Sequence, residues 1–167
     1  VSAIHRRDNI PNNLRDLPIR WVKGDVYDPE VIKEGCRGVE YIFHVAAAFR
    51  EAGIADAIYR KVHVESTQLL AAAAHSQPGF KRFVHVSTMG VHGHIESIPA
   101  NESSPFSPGD LYQETKLEAE LWIRSFSAER NLPLTVIRPT GIYGPGDRRL
   151  LKIFRMARLP IVPIIGF

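Results

Sequence analysis

Phe83-Val84-His85-Val86-Ser87-Thr88-Met89-Gly90 is an apolar, β-rich run that stops on two hydroxyl side chains and a glycine. The stretches on either side of it, from about Ala55 to His75 and from about Gly109 to Arg130, carry helical patterning, with Val62, Leu69 and Leu70 in the first and Leu117, Leu121 and Phe126 in the second. A strand set between two helices reads as part of a parallel sheet with helices on its faces. Working outward, further strands are expected at Val1 to His5, Ile19 to Lys23, Tyr41 to Val45 and Leu134 to Arg138. Several are nearly continuous apolar runs, the pattern of strands buried on both faces. Asp28-Pro29 predicts a capped helix start, with a short helix through Val31, Ile32 and Glu34. Pro78-Gly79 and Asn131-Leu132-Pro133 stop the two long helices, and a basic helix is expected around Arg148 to Arg158.

The composition narrows the class. At 167 residues the chain is long enough for one sizeable core, and 44% hydrophobic with 23% charged residues is the balance of an ordinary globular protein. A net charge of +3, spread along the chain, leaves no basic footprint for nucleic acid. No apolar run approaches the roughly 20 residues of a membrane helix. Cys36 is the only cysteine, so no internal disulfide forms and a cytoplasmic setting is expected. Of the seven histidines only His92 and His94 are close together, without a carboxylate or thiol in ligand spacing, so no metal site is expected. His44 and His85, inside strands, read as satisfied core histidines. The proline-rich loop from Ile95 to Pro108 is long for a compact domain and reads as functional.

The chemistry concentrates at strand ends, where open parallel sheets bind ligands. Tyr112-Gln113-Glu114-Thr115-Lys116 puts a phenol and an ammonium on one helix face, where the cation favours the ionised phenol. With it go Gly24-Asp25-Val26-Tyr27-Asp28, His44-Val45-Ala46-Ala47, Val86-Ser87-Thr88-Met89-Gly90-Val91-His92-Gly93 and Arg138-Pro139-Thr140-Gly141-Ile142-Tyr143-Gly144-Pro145-Gly146-Asp147. In these pieces the chain resembles the extended short-chain dehydrogenase/reductase family, which includes nucleotide-sugar epimerases and dehydratases and related ketone reductases.

The resemblance implies a Rossmann-type, doubly wound parallel sheet and an enzyme using NAD or NADP. It implies Tyr112 as the acid/base, Lys116 as the group that lowers the phenol pKa and holds the nicotinamide ribose, and Thr88 as the hydroxyl on the reacting oxygen, with Ser87 next should the register slip. It implies Asp25 and Val26 for the adenine, Val45, Ala46 and Ala47 for the middle of the cofactor, and Pro139 with Thr140 facing the nicotinamide. The substrate implied is a small molecule, a nucleotide sugar by preference. The alternatives are a ketone or alcohol on a steroid-like or flavonoid-like ring, and a cofactor-binding module without catalysis. A homodimer through the two long helices is an analogy with the family.

The chain also departs from the family. No Gly-rich phosphate turn precedes Val1, so the sheet is expected to be incomplete, lacking its central first strand and that turn. Residues 1–147 are expected to form a partial nucleotide-binding domain and 148–167 the start of a substrate-binding region, the whole being a fragment of a longer protein. Where NAD enzymes of this fold carry an acidic residue after the second strand, this chain has His5-Arg6-Arg7. An Arg at position 6 suits a 2′-phosphate and favours NADP. His63 stands where the family often has Asn.

Overall fold

Among the described residues the regular structure consists of five short strands, five α-helices, one π-helical turn and two 3-10 turns. The structure, a computed structural model, describes residues 1–6, 8, 10, 12–49, 55–96, 98–144 and 151–158. In chain order the elements are β1 (Ser2–His5), β2 (Arg20–Lys23), α1 (Pro29–Gly35), β3 (Tyr41–His44), α2 (Asp56–Arg60), a π-helical turn (Lys61–Glu65), α3 (Ser66–His75), β4 (Arg82–Val86), a 3-10 turn (Met89–His92), α4 (Leu111–Arg130), β5 (Leu134–Ile137) and α5 (Leu151–Met156), with a further 3-10 turn at Asn12–Leu14. All five strands lie within a residue of their expected bounds. Residues 148–150 of the expected basic helix lie outside the described residues.

Local chemistry explains the boundaries. Asp28 is extended and its carboxylate accepts from the Glu30 amide at 2.9 Å, with Pro29 in the first turn where its missing N–H costs nothing. Arg20 of β2 donates to the Glu34 carbonyl at 2.9 Å, placing a cation at the carboxyl end of α1. Asp110 caps α4 by accepting from the Gln113 amide, so α4 starts at Leu111 and not at Gly109. Asn131 ends α4 in the left-handed conformation at φ 53°, which Asn tolerates better than most residues.

The pairing is parallel throughout, but the strands form two sheets. β1 pairs with β2, and β3, β4 and β5 pair in that order, with Phe83 opposite Ile42 on one side and Leu134 on the other. The expected single sheet is therefore divided, at the place where the sequence reading set the missing central strand. One core still joins the two parts. Ile32, Cys36, Ile42, Leu70, Ala71, Ala74, Phe83, Ile123 and Leu132 form a single buried cluster, against which Ile4 of β1 also packs.

That core occupies one face only. Ile42 and His44 are buried while Tyr41, Phe43 and Val45, alternating with them, are exposed, Phe43 at 66%. The expectation that these strands are covered on both faces fails for β3, because α1, α3 and α4 pack side by side on the face that carries Ile42 and Phe83. The helix expected from Ala55 to His75 is also interrupted by the π turn. Among the described residues no helix is long and apolar enough to cross a membrane, and no group of three metal-ligating side chains occurs.

One glycine anchors the loop that leads into α4. Gly93 closes the Met89–His92 turn at φ 59°, and a Cβ there would stand 1.9 Å from the Ser107 carbonyl oxygen. Left-handed strain and a backbone clash act together at this position. Gly93→Ala is expected to lower stability by at least ~2 kcal/mol, read as a lower urea midpoint at unchanged slope.

Candidate active site

The start of α4 sets the register of the site. Gln113 donates its backbone N–H to Asp110, and its side-chain oxygen accepts from the Gly109 amide at 2.7 Å, a reciprocal pair that fixes the first turn. Tyr112, Lys116 and Glu120 then follow at one-turn intervals on one face. The Tyr112 ring meets Phe49 edge-to-face at 4.9 Å between centroids and His63 at 5.4 Å. Lys116 is 2% exposed, and its ammonium donates to the Val86 carbonyl at the end of β4. Burial pushes Lys116 down to about 8, against an opposing attraction from Glu120.

His63 ties this helix to the end of β3. Its Nε2 accepts the Ala48 N–H at 3.1 Å, so the ring proton resides on Nδ1 and is donated to Thr115 Oγ1 at 2.8 Å. Thr115 passes the chain on by donating to the Leu111 carbonyl at 2.7 Å. Burial first, and the Lys116 charge second, hold His63 down to about 3, so it stays neutral. The π turn brings this ring inward; there Thr67 donates to the His63 carbonyl at 2.6 Å. Such single π turns are frequent at functional sites.

The strand ends converge on the same region. At β4, Ser87 is buried while Thr88 is half-buried, and Thr88 Oγ1 accepts from the Gly90 amide at 3.1 Å, which leaves the hydroxyl hydrogen out of that bond. Met89 donates to the Pro139 carbonyl at 3.0 Å, drawing Pro139 and Thr140 beside Thr88. At β2, Val26 and Tyr27 pack in one cluster with Ala48, Tyr59, Val62 and Tyr112. Burial, then the charge and hydrogen bond of Asp25, raise the Tyr27 phenol, with Arg6 opposing, so Arg6, Asp25 and Tyr27 lie together at the ends of β1 and β2. Val45 and Ala47 are exposed and Ala46 half-exposed between these groups.

A second polar cluster lies below. Arg138 donates to both carboxylate oxygens of Glu120, at 3.0 and 2.6 Å, and to the Glu102 carbonyl at 2.9 Å. His92 Nε2 accepts from Arg138 at 2.9 Å, so its Nδ1 carries the proton and donates to the Pro105 carbonyl at 3.0 Å. Phe106 stacks on His92 and under the Arg138 guanidinium, 4.9 Å from its ring centre. These contacts hold the loop expected to be functional. Of these residues His92, Glu102 and Arg138, with Met89, Ile95 and Val136, line a cavity of about 400 Å³.

The histidines in the strands differ. His44 meets the Ser66 hydroxyl at 2.9 Å, as expected of a satisfied core residue. His85 does not: both its ring nitrogens, and the Ser87 hydroxyl, make no hydrogen bond among the described residues. Burial, with the Lys116 charge adding to it, takes His85 down to about 3, so the ring avoids charging by staying neutral. Of the functional contacts, the sequence reading missed Glu120, Phe49 and the Arg138 cluster, and had noted His63 only as a departure from a family pattern.

The residues present fit a nicotinamide dinucleotide: Arg6 and Asp25 could serve one sugar and base as cation and acceptor, Lys116 and Tyr112 could donate to the other, and the small side chains of Ala46–Ala48 would permit close backbone approach. Among the described residues no helix N-terminus with a Gly-rich turn stands ready for the pyrophosphate.

A profile described as the NAD dependent epimerase/dehydratase family matches residues 1–159. A 3-beta-hydroxysteroid dehydrogenase of Mycolicibacterium neoaurum is 32% identical over 155 residues, 87% of this chain and 42% of that protein. A dTDP-glucose 4,6-dehydratase of Streptomyces niveus is 33% identical over 140 residues, 81% of this chain and 41% of that protein. The dTDP-glucose 4,6-dehydratase of Streptomyces venezuelae, solved with NAD bound, superposes with a TM-score of 0.74 at 32% identity, over 83% of this chain and 44% of that one. The chain thus spans less than half the length of these relatives.

Proposed function

Since the chain belongs to the NAD-dependent epimerase/dehydratase family, within the extended short-chain dehydrogenases/reductases, we propose that it carries the acid/base half of an NAD(P)-dependent oxidoreductase site acting on a nucleotide sugar. The observation that carries this reading is the convergence of Tyr112, Lys116 and the strand ends of β3 and β4 on one region, tied together by the Ala48–His63–Thr115 hydrogen bonds and the Lys116–Val86 bond.

Bound nicotinamide supplies hydride exchange with a substrate carbon. Tyr112 gives or takes the proton on that carbon's oxygen. Thr88 donates its hydroxyl hydrogen to the same oxygen, its own lone pair being engaged by Gly90. Lys116 favours the phenolate and holds the ribose hydroxyls, Asp25 and Val26 hold the adenine end, Val45 to Ala47 line the middle, and Pro139 and Thr140 close the nicotinamide side. Ser87, buried next to Thr88 with its hydroxyl unpaired among the described residues, is a further cofactor contact and the alternative hydroxyl for the reacting oxygen. Arg6 at the end of β1 supports NADP over NAD.

In this reading residues 1–147 contribute the nucleotide-binding domain and 148–167 begin the substrate region, in a cytoplasmic enzyme that pairs through α3 and α4. The single, buried Cys36, whose thiol burial pushes up to about 11, is in keeping with a setting where no disulfide is needed. A second reading, a 3-hydroxysteroid or similar ring alcohol as substrate, is favoured by Phe49, an apolar ring set edge-on against Tyr112.

The test is direct. The protein expressed from its full coding length, given dTDP-glucose, UDP-glucose or a 3β-hydroxysteroid with NAD or NADP, is expected to convert a sugar nucleotide, with the lower KM for NADP. Turnover of the steroid alone selects the second reading, and no turnover of any of them overturns the first.

A further inference from the structure

We propose that His92 is a positioning residue for Thr88 and works as a proton-sensitive latch: the neutral imidazole holds the Met89–His92 turn, which Thr88 heads, on the end of β5, and the imidazolium releases it. The inference rests on the reading of Thr88 as the hydroxyl that meets the reacting oxygen, and it adds the group that holds Thr88 there.

The turn is tied to β5 at both ends. At its start, next to Thr88, the Met89 amide donates to the Pro139 carbonyl at 3.0 Å. At its close, His92 Nε2 accepts from Arg138 Nη1 at 2.9 Å. The His92 ring is buried, its Nδ1 donates to the Pro105 carbonyl at 3.0 Å, and Phe106 stacks on it at 5.4 Å between centroids. The Ser107 amide, donating to the Val91 carbonyl at 3.0 Å, joins the loop before α4 to the same turn. One ring thus bridges β5 and that loop.

Only the neutral ring makes this bridge. Arg138 keeps its charge, and three further bonds hold it in place, two to the Glu120 carboxylate at 3.0 and 2.6 Å and one to the Glu102 carbonyl at 2.9 Å. A proton on His92 Nε2 sets a donor against a donor and a cation against a cation at the 2.9 Å separation. With the arginine fixed, the ring is the part that leaves. Imidazole is the side chain whose charge ordinarily changes between about pH 5 and 8.

The surrounding charges do not rescue the cation. From α4, Glu120 is occupied by Arg138 and by Arg124, whose Nε lies 3.0 Å from it. Tyr112 and Lys116 of the same helix are engaged elsewhere, with Phe49 and His63 and with the Val86 carbonyl. β4 brings His85, which is neutral. On the loop, Glu102 lines the cavity beside His92, but its side chain, like those of His94 and Glu96, is exposed and screened by water.

The experiment follows two NMR signals against pH in the protein expressed from its full coding length: the His92 ring, and the hydrogen-exchange protection of the Met89 amide. Protection is expected to fall about tenfold, the size of one lost hydrogen bond, with the midpoint of the His92 ring. The Phe83 amide, bonded to the Pro133 carbonyl inside the sheet, should stay protected throughout. Glutamine offers Arg138 an acceptor and Pro105 a donor at every pH, so in His92→Gln the fall should disappear, whereas His94→Gln, at an exposed position, should behave as wild type. Met89 protection that stays level through the His92 midpoint overturns the proposal, as does a ring that stays neutral until Phe83 itself loses protection, or a fall that persists in His92→Gln. Where His92→Gln does not fold, the wild-type titration decides. In turnover, kcat should fall at the same midpoint in wild type, and a kcat that holds its value there overturns the positioning role. Because the amide signals need no substrate, they are independent of whether Tyr112→Phe abolishes turnover, which tests the catalytic reading.

Discussion

Tyr112→Phe is expected to lower turnover of the full-coding-length protein at least ~10²-fold, the low end for lost acid/base catalysis. Cofactor affinity and thermal midpoint should stay close to wild type, because the ring keeps its edge-on contacts with Phe49 and His63. Only the phenolic oxygen is lost. The measurement is kcat and KM on whichever substrate the wild type accepts, with cofactor binding followed separately. Turnover within a few-fold of wild type, with cofactor binding undisturbed, would remove Tyr112 from the chemistry and return the chain to the alternative of a binding module.

Lys116→Met is expected to do two opposite things at once. Activity should fall by at least ~10²-fold, since the phenol loses the cation that favours its ionised form. Stability at neutral pH should hold or rise. Burial has brought the amine from 10.5 to about 8, a difference of about 3 kcal/mol between charged and neutral forms. The folded value lies below the unfolded one, so between about pH 8 and 10.5 the unfolded chain keeps a proton that the folded chain has released, and wild-type stability rises with pH across that window. Below pH 8 both states are charged and the cost is borne in full. The Met variant has no such charge, so its stability curve should lack the rise. Equal slopes for the two proteins in urea titrations from pH 7 to 10 would contradict the burial of a charged Lys116.

What could be read from the sequence follows the range of the interactions. Asp28-Pro29 and Asn131 act on backbone within a few residues, and the helix ends they imply are those observed, whereas α4, expected from about Gly109, begins at Leu111 because Asp110 caps it. The strands were legible from short apolar runs. The open face of β3 was not, because Tyr41-Ile42-Phe43-His44-Val45 is apolar or aromatic at nearly every position and carries no alternation to say which side is covered. The π turn likewise leaves no periodic trace within a 20-residue helical stretch. Tyr112, Lys116 and Thr88 were legible as a recurring pattern at strand ends. Glu120 was not, since its meaning comes from Arg138, 18 residues away and brought near only by the return of β5 beside α4. His85 had been read as satisfied on residue type alone, and only the packed strand reveals its two unpaired nitrogens.

The bare side of β3 bears on how the chain responds to denaturants. Within this chain taken alone, Tyr41, Phe43 and Val45 stand exposed, so its unfolding uncovers less new apolar surface than that of a sheet covered by helices on both faces. The denaturant slope and the heat-capacity increment both scale with that newly uncovered area. Both should therefore fall below the values typical of a domain of 167 residues, giving broad unfolding transitions that an observer judging by chain length alone would misread as a loss of cooperativity.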